Sequence, residues 1–429
     1  MSRIKHISIT GGRLIDPANG IDDRLDLHVS DGKVVAVGDA PTDFAADTVI
    51  DATGQVVCPG LIDLAVHLRE PGYEYKATIA SETKAAARSG ITTLVCAPDT
   101  DPVIDTPAVW ELVRRRAKIS ARARVLAIGA LTQGLKGEQL SEMAALKAAG
   151  CVAMSNDRRP LASTLVERRA LEYAATFGLT VFLSPEDKHL KAGGCAHEGA
   201  VATRMGLPGI PSAAECVAVA RDLALAQHTG ATVHFRTLST GSAVDMVRSA
   251  RASQQPISAD VAAHQLHLTE MDIDGFDSRC HVAPPLRTLA DREALRRAVA
   301  DGTIGVICSD HQPHEADAKE APFPETAPGI SGLETLLALT LRLVEEGVLD
   351  LSSAIERLTA GPARVIDLPL GQLAVGAVAD VCIFDPEQPW TLRSKQMASA
   401  GRNSPFDGWE FRGQVTHTLF NGRIVHRPE

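Results

Sequence analysis

Paired cysteines are missing from this 429-residue sequence, which has no Cys-x-x-Cys motif. Its cysteines stand singly, so the sequence indicates neither a disulfide framework nor a cysteine-rich zinc site. Single cysteines are typical of reduced thiols packed in the core of a cytoplasmic protein. The eight positions are Cys58, Cys96, Cys151, Cys195, Cys216, Cys280, Cys308 and Cys382.

An excess of basic residues and a long apolar run are also missing. The 43 Lys and Arg against 53 Asp and Glu give a net charge of −10, which argues against nucleic acid or an anionic membrane as a partner. No run of about 18 apolar residues predicts a membrane span, and the first residues lack the pattern of a signal peptide. We therefore expect a cytoplasmic protein that binds neither nucleic acid nor membrane.

What the sequence does contain is an ordinary globular composition, with 45% hydrophobic and 22% charged residues. Both ends of the chain are rich in short β-type segments separated by glycine and proline turn signals. These segments are 7–14, 25–29, 34–37, 380–385, 415–421 and 423–425. Their similarity predicts one small β domain built from residues 1–59 and 367–429, with a larger unit inserted between its halves.

The middle of the chain alternates apolar, β-branched runs with helical patterns, such as those of residues 107–120 and 161–176, which predicts a parallel sheet. The runs are eight: 61–68, 92–98, 124–131, 151–157, 180–185, 232–237, 257–263 and 304–310. Eight such units predict a closed (β/α)8 TIM barrel over residues 60–366, with its site at the carboxyl ends of the strands. A doubly wound open sheet is the rival, but no glycine-rich dinucleotide loop follows the first run.

Several long motifs follow the predicted strands. They are HLREPG at 67–72, APDTDP at 97–102, HEGAVATRMGLPGIPSAAE at 197–215, PPLRT at 284–288, SDHQPH at 309–314, APGISGLET at 327–335 and NSPFDGWEFRGQVTHTLFNGRIV at 403–425. In these motifs the sequence resembles the dihydroorotase branch of the cyclic amidohydrolases over essentially its whole length. The resemblance implies a metal-binding (β/α)8 barrel with a small β domain formed by both termini, in agreement with the patterns above.

The resemblance also implies an activity and its metal site. Active family members close N-carbamoyl-aspartate to dihydroorotate with a zinc pair, whose bridging hydroxide is a nucleophile near neutral pH. The ligands are a His-x-His after strand one, a carboxylate after strand four, single histidines after strands five and six, and an Asp after strand eight. At the corresponding positions the sequence keeps only His67 and Asp310; the others hold Ala65, Asn156, Ser184 and Thr237.

Loss of most ligands predicts a chain that binds no metal, because alanine offers no ligand atom and Ser, Thr and Asn are poor zinc ligands. A shift of one position at the end of strand four would instead turn Asp157 inward. A single-zinc site of His67, Asp157 and Asp310 would then remain, and this alternative is kept open.

The predicted substrate site is altered as well. By resemblance, the carboxylate of the substrate would contact Arg69, an Asn after strand two and a His in the last loop. Arg69 and His314 are present, whereas the Asn is replaced by Asp99, which would repel an anionic ligand. The Asn before the PPLRT motif is replaced by Ala283. We interpret Arg69, Asp99 and His314 as remnants of a substrate site.

The remaining candidates have simpler interpretations. Without a metal-bound water, Asp310 is a vestigial base, expected to bond to His67 or Arg69 beside it. Arg69 could bind an anion or form an internal salt bridge to Asp99 or Asp310. Arg158 and Arg159 are predicted to be solvated or to form subunit contacts. The other histidines are interpreted as core or surface residues rather than as replacement ligands: His189, His197, His234, His264, His267 and His281.

The function favoured by these features is that of a non-catalytic dihydroorotase-like protein. The resemblance includes members that lack the metal ligands and act as structural subunits of aspartate carbamoyltransferase, which implies a partner catalytic chain and an oligomer, both self-associated and mixed. The alternative is an active cyclic amidohydrolase with one zinc ion. A weaker hypothesis is a small-anion binding module that uses Arg69 and His314.

Overall fold

The structure is a computed structural model that describes residues 6–428. Its amino-terminal part is a series of short strands. They are His6–Thr10 (β1), Arg13–Asp16 (β2), Ile21–Arg24 (β3), Leu27–Ser30 (β4), Lys33–Val37 (β5), Thr48–Asp51 (β6) and Val56–Pro59 (β7). The predicted strand 7–14 is divided in two because Gly11 takes a φ of +75°, which turns the chain between β1 and β2.

A parallel eight-stranded sheet forms the centre of the chain, at all eight predicted positions. Its strands are Leu61–Val66 (β8), Ile91–Cys96 (β9), Arg124–Ala130 (β10), Ala153–Ser155 (β11), Val181–Leu183 (β12), Val233–Phe235 (β15), Ile257–Ala262 (β16) and Val306–Cys308 (β17). Two short strands in the loop after β12, Ala196–His197 (β13) and Gly209–Ile210 (β14), pair with each other. The predicted barrel is confirmed.

The first and last strands of this sheet meet through His311. Its backbone N–H donates to the carbonyl of Ala65, and its carbonyl accepts from the N–H of His67, both at 2.9 Å. A bridge between Val66 and His311 continues the parallel ladder from β17 to β8. The ring of strands is thus completed directly below the polar residues that follow β8 and β17.

Among residues 6–428, twelve α-helices accompany the strands. They are Ile79–Arg88 (α1), Pro107–Ser120 (α2), Met143–Ala149 (α3), Thr164–Thr176 (α4), Lys188–Lys191 (α5), Ala200–Met205 (α6), Ala213–Thr229 (α7), Gly241–Ala252 (α8), Leu289–Ala300 (α9), Leu336–Glu345 (α10), Leu351–Leu358 (α11) and Ala360–Val365 (α12). No helix among residues 6–428 has both the length and the apolar character needed to cross a bilayer.

The carboxyl-terminal strands return to the amino-terminal ones. Val381–Thr391 (β18), Glu410–Phe420 (β19) and Arg423–His426 (β20) join a six-stranded sheet in the order β20-β19-β18-β7-β2-β3. A second sheet has the order β5-β4-β1-β6. One buried cluster contains Ile7 and Leu27 from the first half and Ile383 and Leu419 from the second. A small β domain formed by both termini is therefore confirmed, while its exact division at residues 59/60 and 366/367 stays a prediction.

Candidate functional site

The polar residues singled out in the sequence converge at the carboxyl ends of the barrel strands. His67 follows β8, Asp99 follows β9, Asp157 follows β11 and Asp310 follows β17. Arg236 comes directly after β15. Parallel strands place these ends at one mouth of the barrel, which is where this fold carries its sites.

Four residues of this mouth have a left-handed backbone. Their φ angles are +62° at Arg69, +53° at Asp157, +49° at Thr237 and +48° at Asp310. Each such position outside glycine costs on the order of 1 kcal/mol or more, and such positions cluster at functional sites. The left-handed residues change the direction in which the chain leaves each strand. They therefore decide which of the following side chains reach the mouth.

Asp99 is neutralised by two basic side chains. Its Oδ2 accepts from His67 Nδ1 at 2.7 Å and from Arg69 Nη1 at 3.2 Å. Burial alone would raise the pKa of Asp99, but His67 and Arg69 hold it well below its usual range. Of the two interpretations of Arg69, the structure shows the salt bridge to Asp99. The carboxylate that was expected to repel an anionic ligand is already compensated.

Asp310 has a different partner from the expected one. Its Oδ1 accepts from Arg158 Nη2 at 2.7 Å, and Gln312 donates to both of its oxygens at 3.3 Å. Arg158 also donates to the carbonyl of Ala283. Burial would raise the pKa of Asp310, yet the Arg158 guanidinium keeps it below its usual value. The predicted hydrogen bond from Asp310 to His67 or Arg69 is wrong, because Arg158 turns into the mouth rather than toward solvent.

Asp157 forms the third ion pair of the mouth. Its Oδ1 accepts from Arg236 Nη1 at 3.1 Å, and the side chain of Arg236 is only 1% exposed. The mouth thus contains three carboxylates, each with an arginine beside it. Arg158 and Arg236 were not identified as site residues from the sequence. The signal that could have found them is the occurrence of one arginine near the end of each of strands β8, β11 and β15.

His314, a predicted substrate contact, is held by the protein itself. Its Nδ1 accepts from Lys76 Nζ at 3.1 Å, and its Nε2 donates to the carbonyl of Pro328 at 3.1 Å. Burial, together with the charges of Arg69 and Lys76, lowers the pKa of His314 to about 3. A neutral imidazole with both nitrogens engaged contributes no positive charge to the mouth.

A zinc pair does not fit this set of side chains. Ala65 is fully buried without a ligand atom, and Asn156 accepts from Thr132 Oγ1 at 2.6 Å while donating to the carbonyl of Arg159 at 2.9 Å. Thr237 and Ser184 offer only hydroxyl oxygens. The cationic charge that a metal pair would supply is provided at this mouth by guanidinium groups.

A single ion has a more suitable set of atoms. His67, Asp99 and Asp157 each offer one ligand atom, and these atoms lie within 4.8 Å of one another. Asp310, predicted as the third member of such a set, is replaced in it by Asp99. The Nε2 atom of His67 is buried and has no hydrogen-bond partner among residues 6–428. The charge balance argues against a bound cation, because Asp99 and Asp157 already have arginine partners.

The other histidines have mostly structural contacts. His234 bonds to Ser258 and Asp260, His267 to the carbonyl of Leu339, His281 to Thr326 and His197 to Arg287. His189 lies on α5. His264 is buried, which lowers its pKa to about 4, and its Nε2 has no partner in the described part of the chain.

Comparison with known proteins agrees with this architecture. Residues 54–243 match the family model described as Dihydro-orotase-like, and residues 237–426 match one described as Amidohydrolase family. A Dihydroorotase-like protein of Pseudomonas aeruginosa is 52% identical over 420 residues, which cover 98% of this chain and 99% of that protein. A protein named Dihydroorotase from Syntrophotalea carbinolica is 47% identical over 423 residues, with 98% and 99% covered.

A solved structure shows the same fold. The L-hydantoinase (dihydropyrimidinase) of Arthrobacter aurescens superposes with a TM-score of 0.88 at 25% identity, and the match covers 99% of this chain and 96% of that one. The barrel and the β domain from both termini together define the amidohydrolase fold. Within that class, the chain belongs to the dihydroorotase-like family, as its motifs predict.

Proposed function

We propose that this chain is a non-catalytic member of its family. It acts in the cytoplasm as a structural and assembly subunit for the catalytic chain of aspartate carbamoyltransferase, in pyrimidine synthesis. The observation that carries the first part is the ion pair between Asp310 and Arg158, with 2.7 Å between carboxylate and guanidinium. The residue that would have to act as the base is held as the partner of a permanent cation.

The chemistry of hydrolysis supports this reading. A carboxylate whose pKa is lowered by an arginine is a weak general base, because a base works best when its pKa is near the working pH. A metal would compensate by lowering the pKa of its bound water toward 7. The positions occupied by Ala65, Asn156, Ser184 and Thr237 do not supply the ligands for that role.

The assembly role rests on what the chain has kept. Its barrel and composite β domain are complete, and its 52% identical relative from Pseudomonas aeruginosa carries the name Dihydroorotase-like protein. A chain that retains its whole fold and lacks a catalytic site suits a scaffold. A stable contact with the transferase would bury about 1,000 Å² or more, and it would stabilise the partner because it forms only with the folded state.

Co-expression with the transferase catalytic chain tests the assembly role. We expect one large assembly in size-exclusion chromatography, and a transferase that is smaller, less stable or less active alone. The variants Asp310→Ala and His67→Ala are expected to assemble like the unmodified chain, provided that circular dichroism shows them folded. Separate elution at micromolar concentration, with full transferase activity in the absence of this chain, contradicts the proposal.

A second candidate function is that of an active cyclic amidohydrolase with one zinc ion. It is favoured by the grouping of His67, Asp99 and Asp157 and by the relative named Dihydroorotase. Elemental analysis of the purified chain and an assay of dihydroorotate hydrolysis decide between the two. We expect less than one zinc per chain, no turnover, and no gain from Ala65→His. One bound zinc with turnover that Asp310→Ala abolishes would establish the second candidate.

A further inference from the structure

Arg236 presents an unpaired edge at the mouth of the barrel. Its Nη1 is used by Asp157, whereas Nε and Nη2 are buried and have no hydrogen-bond partner among residues 6–428. A buried guanidinium that leaves two of its nitrogens without an acceptor is costly, because their N–H groups lose their hydration without replacing it. Arg236 therefore destabilises the folded chain unless another group accepts the hydrogen bonds of its Nε and Nη2.

The geometry of the Nε and Nη2 groups of Arg236 determines which kind of acceptor fits them. The Nε–H and one Nη2–H of an arginine point in parallel, and together they fit two oxygens of one carboxylate or phosphate. The same chain shows this fit at its surface, where Arg13 binds Asp22 with Nε to Oδ1 at 2.7 Å and Nη2 to Oδ2 at 2.9 Å. Arg236 has the same edge free in a buried setting.

A cavity adjoins this arginine. Its volume is about 180 Å³, and its wall includes Arg158, Arg236 and Ser184. The Nε of Arg158 and the hydroxyl of Ser184 are also buried without a partner in the part of the chain that the structure describes. Three side chains that line this cavity thus carry buried N–H or O–H groups without a partner among the described residues. Drug-sized ligands need about 300 Å³ or more, so the occupant is small.

The charge of the wall has the sign that an anion requires. Five basic side chains line the cavity against two acidic ones. The acidic Glu215 is saturated by hydrogen bonds from Ser239 and Thr240, and Glu186 pairs with Lys191 at 2.6 Å. Asp310 and Asp157, which pair with Arg158 and Arg236, raise the number of acidic side chains around the cavity to four, so the five basic ones leave a positive excess of one charge.

We propose that this cavity binds a small oxyanion, a carboxylate or a phosphate, on the free edge of Arg236 with help from Arg158 and Ser184. It differs from the anion site expected at Arg69 and His314, since those two residues are engaged with Asp99, Lys76 and Pro328. The site is independent of any partner protein, so its failure would leave the assembly role untouched.

The test uses three salts at equal ionic strength: phosphate, succinate and chloride. Thermal unfolding and titration calorimetry of the full chain measure binding. We expect phosphate or succinate to raise the Tm in a saturable manner and chloride to have no such effect, because a ligand of the folded state stabilises it by mass action. Preference for phosphate identifies a phosphate-bearing ligand, and preference for succinate identifies a carboxylate. Equal, unsaturable effects of all three salts overturn the proposal.

Two variants locate the site. Arg236→Lys keeps the charge and removes the parallel N–H pair, so affinity should fall at least about tenfold. Ser184→Asp places a tethered carboxylate in the cavity, so it should abolish binding without lowering the Tm. The matched control is Arg13→Lys, which removes the same fork at the surface and should leave affinity unchanged. Affinity that is the same in Arg236→Lys, Ser184→Asp and the unmodified chain refutes the site, even if one variant is unstable.

Discussion

Ser309 and Asp310 are neighbours in the chain, but they belong to two different polar networks. Ser309 bonds to Asp63, and next to it His311 Nε2 donates to Glu82 at 2.7 Å. Glu82 also accepts from Ser399 Oγ at 2.7 Å. We call these five residues the closure network, because they surround the point where β17 meets β8. None of their buried side-chain polar atoms is without a partner in the described structure.

The mouth network is organised differently; it is formed by His67, Arg69, Asp99, Asp157, Arg158, Arg236 and Asp310. Its charges are balanced, yet N–H groups of Arg158 and Arg236 and the Nε2 of His67 have no partner among the described residues. Full pairing is what a structural network needs, since an unpaired buried group opposes folding. Balanced charge with unpaired donors is what a binding site needs before its ligand arrives. The two networks thus separate the residues that hold the barrel from those at which we propose that a ligand binds.

The largest effect is expected when the centre of the closure network is removed. Glu82→Ala leaves His311, Ser399 and the N–H of Ala400 without their acceptor. Loss of one partner from a buried ionic network costs about 3–5 kcal/mol. We expect a free energy of unfolding lower by that amount in urea denaturation, or a chain that does not fold. A change below about 1 kcal/mol would show that the closure network is not structural.

A smaller change in the free energy of unfolding is expected from the titration of Asp63 in the closure network. Burial raises the pKa of Asp63 to about 6, against hydrogen bonds from Ser309 and Ala65 and the charge of His311. The folded chain therefore retains a proton that the unfolded chain releases above pH of about 4. The free energy of unfolding should fall by on the order of 2 kcal/mol between pH 4 and 6.

Asp63→Asn is the matched variant, because it keeps the shape and removes the titration. The difference between its unfolding free energy and that of the unmodified chain, measured from pH 4 to pH 7, isolates Asp63 from the other carboxylates. Glu82, Asp99 and Asp310 have lowered pKa values, so their contributions are lost only as the pH falls further. A constant difference across the range would refute the assignment.

A double-mutant cycle on Arg158 and Asp310 examines the mouth network. Each single change, Arg158→Leu or Asp310→Leu, leaves one charge unpaired and should cost about 1–3 kcal/mol. The double variant removes both charges and should cost less than the sum, with a coupling of about 0.5–3 kcal/mol. Additive effects in urea denaturation would mean that the two side chains do not form the observed pair.

The smallest effect is expected at an exposed ion pair. Glu111 accepts from Arg114 and Arg115 on the outer face of α2, where solvent screens the charges. Glu111→Ala should leave the Tm unchanged within error. A large loss there would show that charge removal anywhere destabilises the chain, and the distinction between the closure and mouth networks would lose its meaning.

The sequence predicted most of the fold because the apolar runs and helical patterns are local signals. Helix α2 has the predicted bounds of 107–120. Helix α4 begins at Thr164 rather than at the predicted 161, because the side chain of Ser163 caps it by accepting from the N–H of Val166. The site was less predictable, since left-handed residues at the strand ends change which side chain turns inward.

Arg158 and Arg236 show this limit. The run of residues 155–159 and the run of 234–238 each contain several polar side chains, and simple alternation along a strand ends where Asp157 and Thr237 take positive φ. Pairing between Asp310 and Arg158 joins positions 152 residues apart, which no local pattern indicates. Counting three arginines against three acids near the strand ends would have suggested ion pairs, but not which ones.

The closure network also has a consequence for folding during synthesis on the ribosome. Glu82 and Ser399 are separated by 317 residues, so Glu82 leaves the ribosome long before its partner is made. At a synthesis rate of about 5–20 residues per second, that interval is roughly 15–60 s. During the first part of this interval β8 lacks β17, which ends at Cys308, and the small β domain lacks the strands that begin at Val381 until late in the interval. The nascent chain must therefore keep an open ring of apolar strands from associating with other chains until His311 has emerged, and the closure network is completed only when Ser399 follows.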